Sequence, residues 1–274
     1  MPIRVNIAGV LIDKISKPNT LTKIDELIRS GQPHYGVTPY SEIIGFAIQD
    51  KKYAEVLNQA DLSLPDGIGI LWAAKFLSLP GGGLRSLWQI VYTGAAIIFN
   101  PKYIRSVITE QITGRELVYD IAQLAAEKNY SLTLVGGRAN VAEQSAVELK
   151  KIYPGLNIKL AVSSRPFDQA MVSEISQANS DILLVAYSPP RQELWIAQNL
   201  QKLNCRFAIG LGGTFDYVAG IKPLAPNFWH YIGIEWLWRL ITQPHRLKRI
   251  WRAVPVFIWQ IYRYKLTQQN GFRS

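Results

Sequence analysis

Cysteine is almost missing from this 274-residue chain. Cys205 stands alone, which excludes an internal disulfide and a cysteine-based metal cluster and fits a reducing compartment. Histidine is scarce as well: His34, His230 and His245 lie far apart, and there is neither a His-x-x-x-His pair nor an Asp-x-Asp triplet. Neither a protein-held metal nor a cofactor is therefore expected. No Gly-x-Gly-x-x-Gly follows a strand and no Gly-Lys-Ser/Thr occurs, which disfavours a redox dinucleotide and a phosphate-transferring ATP site. No apolar run reaches the roughly 18 to 20 residues of a membrane span. The amino terminus, Met-Pro-Ile-Arg-Val-Asn-Ile, enters a strand pattern directly, and a cytoplasmic location is expected.

Acids are the last shortage, and it is local. Residues 220 to 274 hold nine Lys/Arg against one acid, Glu235, so most of the net charge of +10 sits there, together with Trp229, Trp236, Trp238, Trp251 and Trp259. A basic, aromatic tail points to an anionic membrane surface or to nucleic acid. Pro244 and Pro255 divide it into short helices, and Val254 to Leu266 is apolar around most of its circumference. Core packing is the plainer reading of the tryptophans, and a solvated face that of the charges.

The remaining chain is 48% hydrophobic overall, enough for one large folded domain with an appendage. Short apolar runs alternate with amphipathic stretches. Strands are predicted at Val5 to Ile12, Tyr35 to Val37, Ser131 to Val135, Asn157 to Val162, Asp181 to Ala186 and Arg206 to Leu211. Helices are predicted at Thr20 to Arg29, capped by Asn19 or Thr20, then Thr38 to Gln49, Tyr53 to Gln59, Glu116 to Lys128, Ala139 to Lys151, Asp168 to Ala178 and Arg191 to Lys202. This rhythm predicts an α/β, Rossmann-like, mostly parallel sheet covered by helices on both faces. Residues 1–219 form the expected core and 220–274 a helical appendage.

One segment interrupts the rhythm. Pro80 to Ile112 carries Gly81-Gly82-Gly83, the apolar run Leu84 to Phe99, and Arg85, Lys102 and Arg105 with no acid before Glu110. It suits either a flap packed on the body or on another subunit, which leaves a homo-oligomer open, or an interfacial segment in lipid headgroups.

The chemistry-bearing residues cluster after strands. In Ala-Asp-Leu-Ser-Leu-Pro-Asp66-Gly-Ile-Gly an apolar run ends on an acid between a proline and a glycine, and Ile68, Leu71, Trp72 and Phe76 follow at helical spacing. Asp66 thus sits at a strand-to-helix turn, as a general base at the sheet rim or as a helix cap. Thr38, Gln192 with Glu193, and Asp216 also follow strand ends, so a hydroxyl, an amide and two carboxylates could converge on a sugar nucleotide. Gly136-Gly137 and Gly212-Gly213 suit either a diphosphate against backbone N–H groups or a tight connection.

The order of Val37-Thr38, Pro-Asp66-Gly-Ile-Gly, Pro-Pro-Arg-Gln192-Glu193, Gly-Gly-Thr-Phe-Asp216 and Gly-Ile-Glu235-Trp-Leu-Trp-Arg239-Leu resembles the WecG/TagA/CpsF glycosyltransferase family over nearly the whole chain outside Pro80 to Ile112. The resemblance implies an inverting, metal-independent transfer of an N-acetylmannosamine-type sugar. The donor would be a UDP-sugar, the acceptor a polyprenyl-diphosphate-linked N-acetylglucosamine, and the place the cytoplasmic face of the membrane. It implies Asp66 as base, Thr38 as a positioning neighbour, Gln192 and Asp216 in the sugar-nucleotide pocket, and Arg239, Arg246 and Arg249 at the diphosphates. The chain departs from the family pattern at Tyr40, where asparagine is common, at Gln111, which stands where an arginine precedes the Thr-Gly block, and in the Pro80 to Ile112 segment. The alternative from another class is an inactive, Rossmann-like sugar-nucleotide binding or regulatory protein. A nucleic-acid partner is not expected, since it leaves the strand-end polar set unexplained.

Overall fold

A computed structural model of the protein describes residues 3–164, 169–223 and 251–271, with single helical positions at 238, 241 and 247. The predicted strand from Val5 to Ile12 is instead a hairpin. β1 (Arg4–Ile7) and β2 (Val10–Asp13) pair antiparallel, Ile7 opposite Val10. Ala8 (φ 51°) and Gly9 (φ 93°) both take positive φ, the signature of a two-residue hairpin turn. The Asn6 side chain accepts from the Gly9 N–H at 2.8 Å and holds the turn.

α1 (Lys17–Arg29) begins three residues before the expected start, with Pro18 in its first turn and Ser16 at the N-cap. β3 (His34–Val37), α2 (Ser41–Gln49), α3 (Lys51–Gln59), the two-residue β4 (Leu62–Ser63) and α4 (Ile68–Ser78) follow. After the interrupting segment come α7 (Gly114–Lys128), β5 (Ser131–Gly136), α8 (Val141–Ile152), β6 (Asn157–Val162), α9 (Gln169–Ala178), β7 (Ile182–Ala186), α10 (Arg191–Asn199), β8 (Phe207–Gly210) and the short α11 (Phe215–Val218). The large sheet is all parallel, in the order β4-β3-β8-β7-β5-β6. The Rossmann-like, doubly covered layout expected from the alternation is what the chain forms.

Two separate cores flank this sheet. One holds Ile43 and Ile44 of α2, Leu57 of α3, Ile70 and Leu71 of α4, and Trp195 of α10. The other holds Leu117 and Ile121 of α7, Leu149 of α8, and Phe215 and Val218 of α11. The chain leaving β3 therefore goes to one face and the chain leaving β8, its neighbour, goes to the other. Connections that part in this way open a crevice at the carboxyl ends of the strands, where open α/β sheets hold ligands.

The interrupting segment forms α5 (Gly83–Phe99) and the single turn α6 (Pro101–Ile104), and the chain's last described element is α12 (Phe257–Gly271). Phe257, Ile261 and Tyr262 of α12 join the same core as α2 and α4. Lys265 is 3% exposed. Its ammonium donates to the Phe76 carbonyl at 2.6 Å and to Gln89 Oε1 at 2.7 Å, tying α12 to α4 and α5. Burial, with the Arg85 charge nearby, pushes the Lys265 pKa down to about 8. Among the described residues no helix is long and apolar enough to cross a membrane.

Candidate active site

The loop carrying Asp66 is built by extending strand pairing past the strand ends. Leu64 N–H donates to the Val37 carbonyl at 2.8 Å and Asp66 N–H to the Pro39 carbonyl at 2.9 Å, so the β3 and β4 exits are zipped together. On its other side, the Pro65 carbonyl accepts from Ile112 N–H at 2.9 Å. Asp66 stands partly buried, one residue ahead of Gly67, the N-cap of α4, where no side chain caps the helix. A carboxylate at this place meets the positive end of the α4 dipole.

Gly67 adopts φ 95° and ψ 148°, close to a region open essentially only to glycine. Gly67→Ala is expected to destabilise the fold by about 1–3 kcal/mol and to displace the Asp66 loop. Urea unfolding measures the first and the loss of turnover the second; an unchanged midpoint would show the turn to be relaxed.

Thr38 is buried next to the opening between β3 and β8. Its Oγ1 donates to the Gly210 carbonyl at 3.0 Å, bridging the two strands where the connections leaving them part. Gln192, at the start of α10, lies across the end of β8. Its Oε1 accepts from Gly212 N–H at 2.9 Å and its Nε2 donates to Glu193 Oε1 at 2.7 Å. Gly210 makes this possible, since a Cβ there would stand 2.8 Å from Gln192 Cδ. Glu193 is wholly buried, and its second oxygen accepts from the Tyr53 hydroxyl at 3.0 Å. Burial holds the Glu193 carboxyl above the ordinary carboxylate range, against the pull of the hydrogen bonds it accepts from Gln192, its own backbone N–H and Tyr53.

Asp216, on α11, forms an ion pair with Lys222. Gly213 precedes it in the turn after β8, and Gly212 takes positive φ. Gly136 and Gly137 close the turn after β5, where Gly137 N–H donates to the Ala186 carbonyl at 3.0 Å. Thr38, Asp66, the Gly212 turn and Gln192 therefore follow four neighbouring strands, β3, β4, β8 and β7, with Gly136 and Gly137 at the end of the next strand, β5. Arg239, Arg246 and Arg249, like Glu235, lie outside the described residues. Among the described residues no three His, Cys, Asp or Glu side chains gather as metal ligands would.

The family model for the "Glycosyl transferase WecG/TagA/CpsF family" matches residues 5–86 and 82–271. The chain belongs to the WecG/TagA/CpsF glycosyl transferase family. Among its relatives is the N-acetylglucosaminyldiphosphoundecaprenol N-acetyl-beta-D-mannosaminyltransferase of Bacillus spizizenii, 27% identical over 224 residues, covering 81% of this chain and 76% of that protein. The protein of the same name in Staphylococcus aureus strain MRSA252 is 24% identical over 267 residues, covering 96% of this chain and 93% of its own.

Within this WecG/TagA/CpsF chain, the two positions expected to depart from the family pattern have a local setting. Tyr40 is the N-cap position of α2 and donates to Glu42 Oε2 at 3.3 Å, and its Cβ lies 4.0 Å from where a side chain at Gly67 would begin. Gln111 precedes Thr113, whose hydroxyl caps α7 by accepting from Glu116 N–H at 3.4 Å; Arg115 follows in the first turn of that helix. Three contributors were not named from the sequence: Tyr53 behind Glu193, the Gly210 carbonyl, and Lys222. Lys222 had a legible signal, a cation six residues after Asp216 and beyond a glycine turn at Gly220. The Tyr53 contact spans 140 positions and has none.

Proposed function

We propose that this transferase moves N-acetylmannosamine, or a related hexosamine or uronic sugar, from UDP to N-acetylglucosamine carried on a polyprenyl diphosphate. The relatives are named as N-acetyl-beta-D-mannosaminyltransferases with N-acetylglucosaminyldiphosphoundecaprenol as the acceptor. The observation that carries the reading is the joining of Asp66, Thr38 and the Gln192–Gly212 bridge at the β3/β8 opening in a chain of this family.

In the proposed step Asp66 takes the proton of the acceptor hydroxyl as its oxygen bonds to the anomeric carbon. The carbon–oxygen bond to UDP breaks on the opposite face, which inverts the centre. Thr38 orients the reactants, and Asp216 with the Gly136–Gly137 and Gly212–Gly213 turns lines the donor pocket. The leaving diphosphate is neutralised by backbone N–H groups and by Arg239, Arg246 and Arg249 rather than by a metal. Residues 1–219 act as the catalytic core. Residues 220–274 act as a basic appendage that brings these arginines to a lipid-borne acceptor at the inner face of the cell membrane.

Release of UDP from UDP-N-acetylmannosamine in the presence of a lipid-linked N-acetylglucosamine diphosphate tests the reaction. Silence with every UDP-hexosamine would favour a binding protein instead. Replacing Arg239, Arg246 and Arg249 by alanine together is expected to lower kcat/KM by about 10²–10³-fold. An unchanged kcat/KM would remove them from the diphosphate site. Deleting everything after Gly220 is a poorer test, because it strips Phe257, Ile261 and Lys265 from the core.

A further inference from the structure

α5 is amphipathic with its faces exchanged. Ser86, Gln89 and Thr93, at helical spacing i, i+3 and i+7, are turned into the protein and are 0%, 3% and 0% exposed. Leu84, Leu87, Trp88, Val91, Ile98 and Phe99 form the opposite stripe and face outward, with Leu84 and Phe99 84% and Trp88 67% exposed. Ile90, Ala96 and Ile97 also pack inward, but the larger apolar stripe faces out, against what burial of apolar surface alone would favour.

Specific polar contacts hold it the other way. Gln89 Nε2 donates to the Pro80 carbonyl at 2.7 Å, Lys265 donates to Gln89 Oε1, and the Trp72 indole N–H donates to Thr93 Oγ1 at 2.9 Å. Rotating the helix would strand these buried groups, including the ammonium of Lys265. The outward ridge is thus fixed by the fold. At about 1.5 Å per residue it runs about 22 Å from Leu84 to Phe99.

Its surroundings carry one sign of charge. No Asp or Glu occurs between Leu79 and Thr109, where Arg85, Lys102 and Arg105 lie, and Arg85 and Lys102 are exposed. α12, clamped to α5 through Lys265, has no acid either, and shows Arg263 and Trp259 on its outer side, with Arg252 and Trp251 exposed just before it. Exposed apolar and aromatic side chains on segments that carry cations and no acid match a lipid interface bearing anionic headgroups.

The ridge also has a direction. Trp72 meets Thr93, and Lys265 joins Phe76 to Gln89, so α5 runs antiparallel to α4. The same register carries its last turn, with Ile98 and Phe99, back towards Ile68, two residues beyond Asp66.

We propose that the outward ridge of α5, with the cations beside it on α5, α6 and α12, is a docking surface for an anionic bilayer that lies in the headgroup region and presents the Asp66 rim to the membrane. The link to Asp66 rests on the transferase reading; the docking does not. The α5 ridge with Arg85 and Lys102 lies outside the basic tail of residues 220–274, and the tail's own Arg252 and Arg263 add their charge to it, so α5 supplies an apolar contact that the tail's cations do not.

Flotation of the full chain with vesicles of equal parts phosphatidylcholine and phosphatidylglycerol tests it. Joint replacement Leu84→Gln, Trp88→Gln and Phe99→Gln is expected to lower the partition coefficient by about tenfold or more at an unchanged melting temperature, since all three side chains are exposed. Added salt is expected to weaken the parent's binding. Equal flotation of parent and variant overturns the proposal. So does a parent that self-associates without lipid through this ridge while the variant is monomeric and still floats.

A second reading uses Val91→Cys carrying a polarity-sensitive dye. Cys205 is buried, with its pKa pushed up to about 12, and stays out of the labelling. A blue shift on adding the phosphatidylglycerol vesicles supports docking, and no shift overturns it. Turnover on a short-chain, water-soluble acceptor is expected to be unaffected by the triple change. That assay fails only if the transferase reading fails, whereas flotation fails only if the docking does.

Discussion

Asp66→Asn is expected to lower kcat by about 10²–10⁴-fold while donor binding persists. Asparagine has nearly the same shape and keeps the backbone N–H that donates to Pro39, so the zipped loop and the Gly67 turn stay in place. What is lost is the carboxylate that serves as base in the proposed step. The interaction of the carboxylate with the α4 dipole is lost too, at a cost of about 0.3–1 kcal/mol, too little to unfold the domain. Single-turnover UDP release separates the two effects, because a missing base slows the chemical step whatever the donor concentration. Equal rates in parent and variant would take Asp66 out of the base role.

Glu193→Ala is expected to be the most damaging single change behind the site. It leaves the Tyr53 hydroxyl and Gln192 Nε2 without acceptors in a buried place, at about 1–3 kcal/mol for each group, and opens a cavity as well. It also frees Gln192 from one of the two contacts that brace the Gly212 turn, so kcat/KM is expected to fall with stability. Glu193→Gln is expected to recover most of both, with its amide oxygen accepting from Gln192 and its amide donating to the Tyr53 hydroxyl.

The pair differ from the parent in pH dependence. Burial raises the Glu193 pKa in the folded protein above the 4.5 of a free glutamate. The folded state then keeps a proton that the unfolded chain has released, and stability falls with rising pH. The contribution is complete below about 4.5 and is lost as pH rises through the folded value. Urea midpoints followed upward from pH 4.5 are expected to decline more steeply for the parent than for Glu193→Gln, which has nothing to titrate there. Parallel declines would place the carboxyl's titration elsewhere.

Much of the fold follows from local pattern, because each strand of the parallel sheet is a short apolar run and each helix an amphipathic one. The hairpin is the exception with a lesson. Apolar positions Val5 and Ile7 change phase at Val10 and Ile12, and Gly9 lies in the break; the phase change is the mark of a turn within what reads as one strand. The early start of α1 was hidden by Pro18, which suits a first helical turn as well as a break. The Asp66 turn was legible because proline and glycine limit what the backbone there can do. The bracing of Gln192 was not, since it depends on Glu193, Tyr53 and Gly212 meeting across the sheet. Nor does periodicity say which face of α5 points inward. It identifies two faces, and the buried ammonium of a distant lysine decides between them.

That lysine also sets an order of events during synthesis. Gln89 and Lys265 are separated by 176 positions, so α5 emerges from the ribosome long before the residue that locks its polar side into the core. At about 5–20 residues per second the interval lasts about ten seconds or more, long compared with the microseconds in which a helix forms. Through that interval the nascent chain carries an amphipathic helix held by Pro80 and Trp72 but without the Lys265 clamp, next to whatever surface is nearby. α12 converts it from a partly held, adhesive segment into a fixed one.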